Sequence, residues 1–178
     1  MNIVPKIAGK SLRLRPVVPE DAAFIQGLRT DSAYNTHLSP VTGTVADQRD
    51  WIIAYKAREA VGEEIYYIIE RLDGVPCGVV RLYDIAADRF TWGSWILNAD
   101  KPPKAALESA LLSFSVGFMS LGLSRADIDV RKANEKAIDF YRRFGMLEIG
   151  RASYNYYFEQ SRAQITRLRD PLCEKLEA

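Results

Sequence analysis

In "DVRKANEKAIDFYRRFGM", Asn134 and Tyr141 stand seven residues apart, two turns of a helix, so both leave the same helical face. A phenol there can hand over a proton, but spacing alone favours Tyr141 packing beside Ala137 and Phe144 as a core aromatic. Asn134 opens that helix, where an asparagine either caps the backbone or offers its amide to a ligand. A second group is "KPPK", in which Lys101 and Lys104 flank Pro102 and Pro103. Two lysines at a helix start can hold phosphate by charge, since that helix end carries unpaired N–H groups and partial positive charge. Alternatively the prolines make a solvated turn that starts a helix. Asp84 closes the apolar run "VRLYDI", as a proton acceptor working through water or as a turn residue. His37, the single histidine, lies in the irregular "NTHLSP", where an imidazole can serve an acceptor site, although a lone loop histidine is more often simply exposed. Arg29, Asn35 and Arg81 are polar enough to bind hydroxyls or phosphates and equally suited to surface bonds.

The elements that position these residues follow from hydrophobic period. "LRLRP", Leu12–Pro16, alternates as a half-buried strand. "PEDAAFIQGLRTD" has an acidic start and places Phe24, Ile25 and Leu28 on one helical face. After the irregular "SAYNTHLSPVTG", Thr44 and Asp47 form a capping-box pattern, and Trp51, Ile52 and Tyr55 carry a helical stripe toward Gly62. "IYYIIERL", "VPCGVVRLYDI" and "FTWGSWIL" are three strands of an antiparallel meander, with Asp73-Gly74 as a hairpin signal. A crossover follows: a helix from Lys104 to Leu121, the strand "RADIDV", a helix from Asn134 to Phe144, and short closing strands. "DPLCEKLEA" is expected to fray as a tail.

The chain has 178 residues, enough for one domain with a core, and no repeat or Gly/Ser linker divides it, so residues 1–178 are expected to form a single domain. With 24 basic and 23 acidic side chains mixed along its length, it lacks the basic stripe that nucleic acid requires. Cys77 and Cys173 are far apart and stand with a single histidine, which predicts no metal site and a reduced, cytoplasmic setting. "MNIVPKIAGKSLRL" has no signal-peptide core, and no stretch approaches bilayer length, so membrane association is not expected. Nothing in the sequence sets an oligomeric state.

The order of elements, together with "WGSWIL", "KAALESALLSFSVGF" and "DVRKANEKAIDFYRRFGM", resembles the GCN5-related N-acetyltransferase (GNAT) superfamily, from "LRLRPVVPEDA" to Tyr157. "VRLYDI", "WGSWIL" and "DVRKAN" resemble a bacterial subgroup acting on amino groups of sugars. The resemblance implies an α+β fold with a mixed, mostly antiparallel sheet of about six or seven strands and about four helices. It also implies acetyl-CoA as co-substrate, no metal, and direct transfer to a small-molecule amine such as an amino sugar or sugar nucleotide. Such chemistry needs a route for the amine's proton, a donor to the oxyanion and an acid for the thiolate. The resemblance gives Tyr141 the acid's role, and Asp84 is the candidate for positioning or deprotonating the amine. Backbone at Trp95, Ile96 and Leu97 is implied to pair with the pantetheine arm, and Asn134 to contact the cofactor or only cap its helix. The family's phosphate loop aligns so that Lys101, Lys104 and Ala106 occupy its three defined positions, with Ala105 between the last two. Lys104 replaces the central glycine, which puts close backbone approach in question. Arg29, Asn35, His37 and Arg81 are the acceptor-side candidates. Open alternatives are acetylation of a protein N-terminus or another amine, and a binding module of the same fold without catalysis.

Overall fold

The computed structural model describes residues 4–37 and 40–177; Leu38 and Ser39, within the segment expected to be irregular, lie outside the described residues. Eight strands are described: β1 (Ile7–Ala8), β2 (Leu12–Pro16), β3 (Ile65–Arg71), β4 (Pro76–Ala86), β5 (Arg89–Leu97), β6 (Arg125–Arg131), β7 (Leu147–Arg151) and β8 (Asn155–Ser161). Six α-helices accompany them: α1 (Ala22–Thr30), α2 (Ser32–Asn35), α3 (Val45–Val61), α4 (Ala105–Ser115), α5 (Glu135–Phe144) and α6 (Arg162–Glu177). The strands form one sheet in the order β1-β2-β3-β4-β5-β6-β8-β7, antiparallel throughout except for β5 and β6. This is the expected α+β class. The counts exceed six or seven strands and four helices because Ile7–Ala8 adds a short edge strand, and because α2 and α6 form where an irregular segment and a frayed tail were expected.

Both faces of the sheet are covered, which is why "IYYIIE" is buried at every position. Its side chains alternate between two cores. Tyr67 and Ile69 face Leu82, Trp92, Phe114 and Phe144, while Tyr66 and Ile68 face Ile25, Leu28, Ile52 and Tyr55. The first core lies under α4 and α5 and the second under α1 and α3, so a gap in the sheet would join two differently built sides. The capping box of α3 forms as expected: the Thr44 amide donates to Asp47 Oδ2 at 2.6 Å and the Asp47 amide to Thr44 Oγ1 at 3.3 Å. Glu108, buried in the first turn of α4, accepts the Ser11 and Leu12 amides at 2.8 and 3.0 Å and thereby ties the crossover helix to β2.

The C-terminal segment is not a frayed tail. Helix α6 runs through it, with Ile165 and Leu172 buried in the core beneath α4 and α5. The stripe Ile165, Leu168, Leu172 and Leu176 keeps helical spacing across Pro171, and burial of that face outweighs the backbone bond the proline cannot make. Arg162 fastens its start, with Nε donating to the Leu123 carbonyl at 3.0 Å. Gly145 ends α5 at φ 90°, and a Cβ there would lie 2.5 Å from Leu168 Cδ1. Glycine is therefore required both by the turn and by the packing of α6.

Candidate active site

β5 and β6 are hydrogen-bonded only where Arg89–Thr91 lie beside Arg125–Asp127. From Trp92 onward β5 stays paired to β4 on one edge, and its other edge parts from β6. A bulge reinforces the divergence. Val79 pairs with Ile96 and Arg81 with Gly93, so Ser94 and Trp95 together oppose Val80, and Ser94 takes φ 48°. Bulges bend a strand and interrupt its ladder, and this one lies just beyond the point where β5 stops pairing with β6. A cleft fills the gap in two adjoining lobes of about 510 and 760 Å³, both lined by His37, Trp95, Ile96, Asn134 and Ala137.

The smaller lobe is polar. Tyr141 reaches it from α5, and its ring stands edge-on to Trp92 at 6.0 Å and to Phe158 at 5.6 Å. The residue is thus both a core aromatic and a lining group. Burial first, then the charge of Asp129 and the neighbouring Tyr83, hold the Tyr141 hydroxyl well above an ordinary phenol, so it stays protonated at neutral pH. Tyr83 is raised likewise by burial, with Asp129 adding to it. Burial pushes the Tyr66 phenol up to about 12 against the opposing charges of Arg29 and Arg81. Arg29 lines the same lobe and has no ion-pair partner among the described residues. Burial, with Arg81 nearby, draws its pKa below the usual value, while Tyr66 opposes.

The larger lobe is net basic: Lys101, Lys136 and Arg143 line it against the single carboxylate of Glu135 among the described lining residues, with Ala106 at the start of α4. Lys104 precedes that helix at φ 62° and makes no side-chain cap. The backbone at 104 therefore adopts the left-handed conformation a glycine would supply, even though the residue is lysine. The Lys104 side chain does not line the lobe; Lys101 does. Trp95 is braced by its Nε1, which donates to Ser109 Oγ at 3.1 Å, and Leu97 extends the lining along β5. Asn134 caps α5, its Oδ1 accepting the Ala137 amide at 3.2 Å, which leaves the side-chain amide toward both lobes. Capping and cofactor contact are compatible in this geometry.

Other sequence candidates lie elsewhere. Asp84 and Arg81 line a neighbouring cavity of about 670 Å³ with Trp51 and Arg58; it shares Tyr83 with the polar lobe, and the Arg81 guanidinium also lies 5.5 Å from the ring of Tyr66, which lines that lobe. Asp84 has φ 50° and accepts from Thr91 Oγ1 at 3.5 Å. Arg81 pairs with Glu64, and its guanidinium stacks on Trp51 at 5.1 Å and Tyr83 at 4.9 Å. Asn35 ends α2 and lines neither lobe, and Ala105 is buried under the turn while Ala106 faces the cleft. The structure adds Tyr83, Asp129, Tyr154 and Asn155 to the polar lobe and Lys136 and Arg143 to the basic one. Of these, Asp129, Lys136 and Arg143 share the motif that holds Asn134 and Tyr141; Lys136 and Arg143 were within reach of helical spacing, whereas Asp129 stands on the strand that precedes the helix.

The sequence profile of the acetyltransferase (GNAT) domain matches residues 11–147. The chain belongs to the GNAT family. No curated protein matches it significantly. Among solved structures, apo FdhC, described as a nucleotide-linked sugar GNAT, superimposes with a TM-score of 0.89 at 37% identity, covering 96% of this chain and 98% of that one. A spermidine N-acetyltransferase from Vibrio cholerae, in complex with CoA and spermine, superimposes with a TM-score of 0.73 at 18% identity, covering 87% and 98%. A ribosomal-protein-S5-alanine acetyltransferase from Vibrio fischeri gives 0.75 at 12%, covering 88% and 96%. The latter two share the fold. Among the described residues no helix is long and apolar enough to cross a membrane, and no group of three or more His, Cys, Asp or Glu could hold a metal.

Proposed function

We propose that this GNAT protein transfers the acetyl group of acetyl-CoA to the primary amine of a nucleotide-linked amino sugar. The carrying observation is the gap between β5 and β6, where an unpaired strand edge, a protonated buried phenol and a net basic lobe adjoin. Acetyl-CoA supplies a thioester whose carbonyl takes the amine and whose departing thiolate needs a proton. Tyr141 holds that proton at its hydroxyl. The open edge at Trp95–Leu97 offers main-chain groups to an extended arm, as a sheet edge accepts an added strand, and an amide at the bulge can polarise a carbonyl. Lys101, Lys136, Arg143 and the left-handed turn at Lys104 would hold phosphates.

The acceptor class follows from charge. A polyamine site needs several carboxylates, whereas the polar lobe presents Arg29 and Arg131 with Asp129 as its single carboxylate among the described lining residues. An unpaired arginine suits an acceptor that carries phosphate as well as an amine. The 37% identical nucleotide-linked sugar GNAT supports the same class. We place the whole chain as one domain acting in the cytoplasm on a small molecule rather than on nucleic acid. The test is CoA thiol release from acetyl-CoA across nucleotide-linked amino sugars, spermidine and peptide N-termini. Turnover is expected on the first class, and Arg29→Gln should raise KM for it about tenfold or more while sparing simple amines. Preferred turnover of spermidine or peptides would reassign the acceptor. Acetyl-CoA binding without release on any amine would make this a binding module.

A further inference from the structure

The polar lobe contains a carboxylate, that of Asp129, which opens "DVRKANEKAIDFYRRFGM" but lies on the strand, outside the helical spacing of Asn134 and Tyr141. Asp129 lies on β6, where Ala126, Ile128 and Val130 are buried toward α4 and α5, so Asp129 leaves the opposite face and lines the polar lobe. On this part of the sheet the neighbouring acids are neutralised by arginine. Asp127 pairs with Arg89 at 3.1 Å, Glu159 with Arg125 at 3.5 Å, and Glu148 with Arg151 at 2.5 Å. Asp129 has no such cation among the described residues; its Oδ2 accepts one weak bond, from Asn155 Nδ2 at 3.3 Å. The arrangement is a solvent-accessible carboxylate without a cation, lining the same lobe as the Tyr141 phenol and near enough for its charge to act on it.

Resting on the transferase reading above, we infer that Asp129 is a catalytic residue that receives the acceptor's ammonium and removes its proton. The acceptor arrives as R–NH3+, the cation missing from the Asp129 ion pair. One proton passes from nitrogen to the carboxylate, directly or through a water. The freed lone pair forms the C–N bond to the thioester carbonyl, the C–S bond breaks, and the thiolate takes the Tyr141 proton; the second N–H proton leaves to solvent as the amide forms, and exchange with solvent then returns a proton to Tyr141 and removes the one held by Asp129. The two proton sites are coupled, because the Asp129 charge disfavours ionisation of Tyr141 and of Tyr83. Once Asp129 is protonated that charge is gone, and Tyr141 becomes a better acid at the moment the thiolate departs. The other titratable or charged groups lining the lobe are Arg29 of α1, His37 after α2, Tyr66 of β3, Arg131 of β6 and Tyr154 before β8.

Two readouts test this, one of them independent of turnover. In the first, Asp129→Asn should lower kcat/KM for the amine acceptor by about 100-fold or more with unchanged acetyl-CoA affinity. The variant's remaining rate should climb with pH as free amine becomes available, and Asp129→Glu should recover part of the loss. A parent-like rate and pH profile in Asp129→Asn would overturn the assignment, as would a collapsed profile in Asp84→Asn alone, which would put the base in the neighbouring cavity. In the second, a nucleotide-linked amino sugar and its hydroxyl counterpart are compared as ligands by calorimetry. The parent should prefer the amine about tenfold or more and Asp129→Asn should lose that preference. Equal binding of both by the parent would exclude Asp129 as the ammonium site even if acetyl transfer itself were established, and a retained preference without turnover would instead count against the transferase reading alone.

Discussion

Tyr141 serves two purposes with one ring. Its edges pack on Trp92 and Phe158, and its hydroxyl ends in the cleft. Tyr141→Phe keeps the packing and removes the proton, so turnover should fall at least about tenfold with acetyl-CoA affinity nearly unchanged, read from kcat and from direct binding. Unchanged turnover with chemistry rate-limiting would end its candidacy. Asn134 and Tyr141 were legible because both sit on one helix, where sequence spacing is spatial spacing. Asp129 was not. Its meaning depends on Arg89 choosing Asp127, on Arg125 choosing Glu159, and on the direction of a gap between two strands, all of which are set by strand register. Asp84 reads like a site residue in sequence and lies one cavity away, because the bulge in β5 and the left-handed turn at Asp84 shift which side chains face the gap.

At the scale of elements, the site is a place where secondary structure stops pairing. The strand-to-helix turn "KPPK" replaces a glycine by Lys104 and keeps the glycine's conformation, φ 62°. Lys104→Gly should therefore stabilise the protein by about 1 kcal/mol, seen as a higher midpoint in urea, without weakening acetyl-CoA binding. Lys101 faces the lobe, so Lys101→Ala should weaken acetyl-CoA binding by about 1–2 kcal/mol, less at high salt, and leave acetyl-pantetheine unaffected because that donor lacks the pyrophosphate. Equal loss with both donors would mean the lysine acts through the turn alone. The composition of this loop was readable from sequence; that its backbone would hold the strained shape was not, since only the packing of α4 on β2, through Glu108, fixes where the helix begins.

Over the whole molecule, a sheet covered on both faces sets the cleft between one core under α4 and α5 and another under α1 and α3. Helix α6 closes the first of these cores, and its apolar stripe was present in the sequence but obscured by Pro171. Leu172→Ala should cost about 2–5 kcal/mol of stability, whereas a frayed tail would show no change in denaturant midpoint. Buried neutral groups also set the alkaline limit. Burial raises Cys77 to about 11 and Tyr66 to about 12, above the ordinary 9.0 of a thiol and 10.0 of a phenol, so the folded state holds these protons more tightly than the unfolded chain. Their contribution is complete below about pH 9 and is lost as pH rises toward 12, so the urea midpoint should fall across that window and fall less in Cys77→Ala. The most direct test of the central claim is mass spectrometry of a nucleotide-linked amino sugar incubated with acetyl-CoA and the protein. A gain of one acetyl group on nitrogen, matched mole for mole by free CoA and largely lost in Tyr141→Phe, is the expected result. Bound acetyl-CoA with no acetylated sugar, or acetylation undiminished in Tyr141→Phe, would contradict it.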